Sequence, residues 1–167
     1  NGRALPFGSV KTLAQSFNEA GYATAYVGKW HLATDHAAGI NYETSAIPQE
    51  RRGGYRDYWM AADVLEFTSH GYNGYVYNAD NERVPLMGYR ADCINNFAID
   101  FLHGRKEQTE PFFLFISQIE PHHQNDRRRY EGPDGSRAQF ADFQPPGDLA
   151  ACSRACAQGT DVSNWRE

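Results

Sequence analysis

The chain has 167 residues, of which 41% are hydrophobic and 22% charged, and it carries a formal net charge of −5. This length suits one domain or a piece of a larger one, with enough apolar material for a sizeable core. The acidic balance argues against general nucleic-acid binding, and no stretch approaches the roughly 18 consecutive apolar residues of a membrane span.

Both ends read as interrupted. The chain opens Asn1-Gly2-Arg3-Ala4-Leu5-Pro6, without Met, and closes Asn164-Trp165-Arg166-Glu167. Any targeting segment would lie upstream of residue 1, so compartment is left open. Cys93, Cys152 and Cys156 form neither a disulfide framework nor a zinc pattern. Cys93, in a helical context, reads as a small buried hydrophobe.

Residues 9–20 predict a helix, with Ser9 as its cap, Leu13, Ala14, Phe17 and Ala20 at helical spacing, and Gly21 as its stop. Residues 22–28 are β-prone and follow at once, as in an α/β unit with a parallel sheet. Lys29-Trp30-His31 then falls at the carboxyl end of that strand, where open α/β sheets bind ligands. Residues 34–56 predict a long loop. Residues 57–70 are ambiguous between helix and strand, and 72–85 predict a short hairpin. Residues 88–104 give the clearest helix, with an apolar stripe of Cys93, Ile94, Phe97, Ala98, Phe101 and Leu102, ended by Gly104. Pro111 to Ser117 is a near-continuous apolar run, which predicts a central parallel strand buried on both faces. The cluster Glu120-Pro121-His122-His123 follows it. Beyond residue 127 the pattern is weak.

Two strand ends thus carry titratable groups. A lysine offers a compact positive charge to an oxyanion, and a histidine offers a hydrogen bond or a proton near neutral pH. In an extended segment Lys29 and His31 would point to one side and Trp30 into packing. Each residue alone is more often a solvated or core residue than a catalyst. Spacing alone does not separate phosphate from sulfate chemistry, or an enzyme from a binding protein.

Gly21-Tyr22-Ala23-Thr24-Ala25-Tyr26-Val27-Gly28-Lys29-Trp30-His31-Leu32 resembles the second signature of the type I sulfatase family, G-Y-x-T-x-x-x-G-K-W-H-L. The helix Lys11 to Gly21 resembles the family's lead-in, and Pro111-Phe112-Phe113-Leu114-Phe115 through Pro121-His122 resembles its later strand and loop. The resemblance covers residues 1 to about 148 and fades in the tail 150–164. It implies that residues 1–167 are a partial sulfatase catalytic domain, truncated at both ends, within an alkaline-phosphatase-like α/β/α sandwich with a largely parallel central sheet.

That resemblance assigns roles. Lys29 would contact both the sulfate and an aldehyde-derived nucleophile. His31 would hydrogen-bond the formylglycine side chain, and His122 would contact the sulfate and assist the leaving group. His123 has no counterpart in the family pattern, and two readings stay open for it: shaping the substrate pocket or simple packing. Ser69 and His70 fall where some members place a further sulfate-side polar group.

The family also requires a formylglycine matured from Cys or Ser in a C/S-x-P/A-x-R motif, and acidic and Asp-Asn pairs that hold a calcium ion. None is identifiable in these 167 residues, so nucleophile and metal ligands are expected outside them, and this fragment alone is expected to be inactive. The implied substrate is an aryl or carbohydrate sulfate ester. Tyr55, Tyr58, Trp59 and Arg127 to Arg129 are compatible with a sugar. Two alternatives stand: a phosphate or phosphonate ester hydrolase of the same superfamily, and a non-catalytic sulfated-glycan-binding module.

Overall fold

A computed structural model describes residues 4–6, 8–122 and 131–144. The chain divides into two compact units, Asn1–Glu120 and Pro121–Glu167.

The first unit opens with α1 (Leu13–Glu19). Its cap is Thr12, not Ser9: the Thr12 side chain accepts from the Gln15 amide while the Gln15 side chain accepts from the Thr12 amide, a capping box that satisfies two otherwise orphaned donors. Ser9 instead closes the preceding turn by donating to the Pro6 carbonyl at 2.8 Å. Gly21, at φ 82°, turns the chain into β1 (Ala23–Lys29). The segment left ambiguous in sequence is both kinds of element in succession, β2 (Tyr58–Ala62) and the single-turn α2 (Leu65–Thr68). The hairpin forms as β3 (Tyr75–Tyr77) and β4 (Arg83–Pro85), followed by α3 (Arg90–Gly104) and β5 (Phe112–Ser117). The C-terminal cap of α3 is Arg105, in a right-handed conformation, so Gly104 lies inside the helix.

The strands form one sheet in the order β4-β3-β2-β1-β5. β1 is parallel to both β2 and β5, whereas β3 and β4 extend the sheet antiparallel. Alternation along β1 sends Tyr26 to one face and Val27 to the other. Tyr26 joins Ala14 of α1, Trp30, Tyr55, Trp59 and Ala61 in one apolar cluster. Val27 joins Ala62, Leu65, Val76, Cys93 and Ile94 in the second, beneath α3. Helices therefore cover both faces, and Cys93 is buried as expected.

The apolar run of β5 is at a sheet edge, not its centre. Among the described residues it pairs only with β1, and Phe112, Phe115 and Ile116 remain 41–43% exposed. A run apolar on both faces implies cover on both faces, which these residues do not supply. Tyr55 and Trp59, read as sugar-facing, are core residues at 6% and 1% exposure. Tyr26 stacks on Trp59 with ring centroids 5.3 Å apart.

In the second unit, α4 (Ser136–Gln139) follows Gly135, whose φ is 77°. Phe140 and Phe143 after it are exposed. His123, Arg127 to Arg129, Cys152, Cys156 and the tail 150–164 lie outside the described residues.

Candidate active site at the end of β1

The signature around β1 separates into residues that build the strand and residues that project from its end. Thr24 is fully buried. Its hydroxyl donates to Asn18 Oδ1 at 3.0 Å and accepts from the Arg56 amide at 3.3 Å, tying β1 to α1 and to the loop before β2. Gly28 faces Ser117 in the β1–β5 register. At φ 109° it allows a close approach that no other residue could make, because a Cβ there would stand 2.0 Å from the Ser117 carbonyl oxygen. The Tyr26 hydroxyl donates to the Lys29 carbonyl, which fixes the last peptide of the strand. Burial raises the pKa of Tyr26, so it remains a protonated donor.

Parallel pairing continues past the strand end, with the Trp30 amide donating to the Ala62 carbonyl at 2.9 Å and the His31 amide to the Asp63 carbonyl at 2.8 Å. Trp30 turns into the core, as alternation predicts. His31 does not continue the alternation: its φ is 54°, in the left-handed region, so the extended geometry that would align it with Lys29 ends one residue early. A non-glycine residue in this region is strained and persists only where its surroundings over-determine it.

What over-determines it is Asp63, which the sequence reading did not single out. Its fully buried carboxylate accepts three consecutive amides, from Leu32 and Ala33 at 3.0 Å each and from Thr34 at 2.9 Å. One charged side chain thus holds the backbone immediately after His31, and His31 itself stays exposed.

Glu66 was missed too. It lies three residues beyond Asp63 on α2, and its Oε1 stands 2.6 Å from Lys29 Nζ. The two side chains are only 7% and 13% exposed. Glu66 Oε2 is buried and has no hydrogen-bond partner among the described residues. A Glu in a sequence that reads equally as helix or strand gives no sign of which strand end it will meet. The Asp63-x-x-Glu66 spacing was the one available hint.

Of the remaining candidates, Ser69 is buried at 3% exposure, and its hydroxyl donates to the Leu65 carbonyl at 2.6 Å. Arg90 donates from NH1 to the Ser69 carbonyl and hydroxyl oxygens, both at 3.2 Å, and from Nε to Glu120 at 2.7 Å. This arginine pins both the residue before His70 and the residue before Pro121. His70 is half-buried, and its amide donates to the Asn73 carbonyl at 3.2 Å. His122 belongs to the second unit and is exposed. Lys29 ends β1 and His31 follows it two residues on, with Glu66 paired to the Lys29 ammonium and Asp63 holding the backbone after His31.

Among the described residues, no group of three or more His, Cys, Asp or Glu could hold a metal ion. The described residues therefore do not by themselves make a calcium site. Nor is any helix long and apolar enough to cross a membrane.

Three parallel strands with helices on both faces define an α/β domain, and a lysine and a histidine stand at the carboxyl end of its β1. The sulfatase family profile matches residues 5–160, and the chain belongs to that family. It is 33% identical over 140 residues to an ulvan-active sulfatase of Formosa agariphila, covering 82% of this chain and 24% of that protein. It is 30% identical over 115 residues to an N-acetylglucosamine-6-O-sulfatase of Bacteroides thetaiotaomicron, covering 69% of this chain and 17% of that protein. A solved structure, BT4656 in complex with its substrate D-glucosamine-2-N,6-O-disulfate, superposes with a TM-score of 0.61 at 24% identity, over 89% of this chain and 25% of that one. The fold is thus the alkaline-phosphatase-like α/β/α arrangement of sulfatases. The chain spans about a quarter of the length of the first curated relatives it matches.

Proposed function

We propose that the full-length protein carrying this segment hydrolyses sulfate monoesters, with a carbohydrate sulfate as the substrate class. The observation that carries this reading is the Lys29 ammonium, positioned at the carboxyl edge of β1 within the sulfatase signature and followed two residues later by an exposed, strained His31. Family membership supports the reaction. The ulvan, N-acetylglucosamine and disulfated glucosamine named for the similar proteins support the sugar.

In this reading Lys29 donates to a sulfate oxygen and stabilises the charge that builds on the transferring group. His31 handles a proton at the nucleophile, and the leaving-group role that the family resemblance gives His122 falls in the second unit. His70 and His123 are assigned to the substrate side, and Ser69 anchors the backbone that leads to His70. A formylglycine and a calcium ion, as the family resemblance implies, would supply the nucleophile and the Lewis-acid chemistry of the complete centre.

The test is turnover of an aryl sulfate and of a 6-O-sulfated glucosamine by the full-length enzyme. Replacing Lys29 with Ala is expected to lower kcat/KM by about 10²–10³, the loss typical of one electrostatic donor. Unchanged turnover in Lys29→Ala would sink the assignment. The polypeptide 1–167 alone, assayed with calcium, is expected to give no turnover above buffer.

A further inference from the structure

We infer that Glu66 is a specificity-determining residue, whose carboxylate makes the Lys29 site favour singly charged sulfate esters over doubly charged phosphate esters. The inference rests on the reading that Lys29 binds the ester anion.

The argument begins with charge. A sulfate monoester carries one negative charge, whereas a phosphate monoester carries about −1.5 to −2 at pH 7. The two are otherwise close in size and shape, so a site that selects between them must read charge. Lys29 alone would favour the dianion. Lys29 is not alone: Glu66 Oε1 lies 2.6 Å from its Nζ, with both side chains largely withdrawn from water. An anion oxygen bonded to the same ammonium at about 2.8 Å comes within about 5.5 Å of that carboxylate oxygen. The first negative charge of the ester is compensated by Lys29. Each further negative charge on the ester meets the Glu66 carboxylate at the same short range, whatever a metal ion of the complete centre offsets, so Glu66 penalises the dianion more than the monoanion.

Glu66 is also poorly placed for a purely structural role. Its second oxygen, Oε2, is buried without a partner, a costly arrangement for a carboxylate kept only to hold a helix. It belongs to a four-residue helix, α2, that begins two residues after Asp63, whose carboxylate grips the backbone following His31. The negative charge is therefore fixed in position relative to the ammonium.

The experiment uses the full-length enzyme and compares aryl sulfate with aryl phosphate of the same aryl group. Aryl phosphate is measured as a substrate or as a competitive inhibitor of sulfate turnover. In the wild type, aryl phosphate binding is expected to weaken relative to aryl sulfate as rising pH gives the phosphate its second charge. Glu66→Gln keeps the shape and removes the charge. It is expected to shift the phosphate-to-sulfate ratio about tenfold toward phosphate, the order expected of one unit charge at this range in a partly screened site. Glu66→Asp keeps the charge and is expected to retain the wild-type ratio. An unchanged ratio in Glu66→Gln, or the same ratio shift in Glu66→Asp as in Glu66→Gln, would overturn the inference. So would a wild-type enzyme indifferent to the second charge, a result available even if the variants do not fold. Failure of the underlying reading looks different: the double variant Lys29→Ala/Glu66→Gln, which leaves no orphaned charge, would then bind both esters as the wild type does.

Discussion

At the scale of single residues, the end of β1 depends on two positions that touch no ligand. Gly28 has no room for a side chain beside the Ser117 carbonyl and a φ of 109° that other residues avoid. Gly28→Ala is expected to destabilise the fold by about 3 kcal/mol or more, read as a lowered urea midpoint, since steric overlap with backbone adds to the cost of the disfavoured conformation. Asp63 holds three amides with one carboxylate. Asp63→Asn replaces one acceptor oxygen with a donor and leaves at least one buried amide facing it. A loss of about 2 kcal/mol is expected, with faster hydrogen exchange at Leu32, Ala33 and Thr34. Slow exchange retained at all three amides would show that the carboxylate is not what holds this turn.

At the scale of elements, the Lys29–Glu66 pair joins the end of β1 to α2 across the sheet edge. Removing one member of a largely buried pair leaves the other charge uncompensated, so Lys29→Ala and Glu66→Ala are each expected to cost about 3 kcal/mol. The double alanine variant is expected to cost clearly less than both losses together, because neither charge is then orphaned. Additive losses in thermal or urea unfolding would mean the two side chains are not coupled. Arg90 does comparable work from α3, gripping Ser69 on one side and Glu120 on the other. Ser69 and Glu120 therefore both depend on one buried guanidinium.

At the scale of the whole chain, two consequences follow from where aromatic side chains lie. Burial pushes Tyr55 and Tyr58 up to about 12, and raises Tyr26 as well. Because these folded-state values lie above the ordinary 10.0, the stability the phenols confer is complete below pH 10 and is lost as pH rises through about 12. Tyrosinate absorbance is expected to rise together with loss of far-ultraviolet circular dichroism across that window. Ionisation of all ten tyrosines near pH 10 with the fold intact would contradict this burial. The second consequence concerns β5, which has no partner on its outer edge among the described residues and exposes Phe112, Phe115 and Ile116. An apolar edge strand is a template for association. The polypeptide 1–167 is expected to sediment in a concentration-dependent way, and Ile116→Lys is expected to suppress that association.

Much of this protein was legible in its sequence because the determining interactions are local. Helical spacing and the turn at Gly21 placed α1 and β1, the apolar stripe placed α3, and the run from Gly21 to Leu32 carried the family. That same run named Lys29 and His31, since a signature records which side chains leave the end of a strand. Tertiary structure alone decided the rest. Ser9 and Thr12 compete for one cap, and Gln15 resolves the choice. Residues 57–70 become strand and then helix because β1 offers Tyr58 to Ala62 a parallel partner. Among the described residues the apolar run of β5 lies at an edge, because sheet order is set by pairing, which hydrophobicity does not encode. Asp63 and Glu66 reach the site from 30 or more residues away, through contacts that exist only once β1 and β2 are side by side. No local pattern marks such contacts, for the physical reason that a carboxylate's role is set by whichever donor the fold brings within hydrogen-bond distance of it.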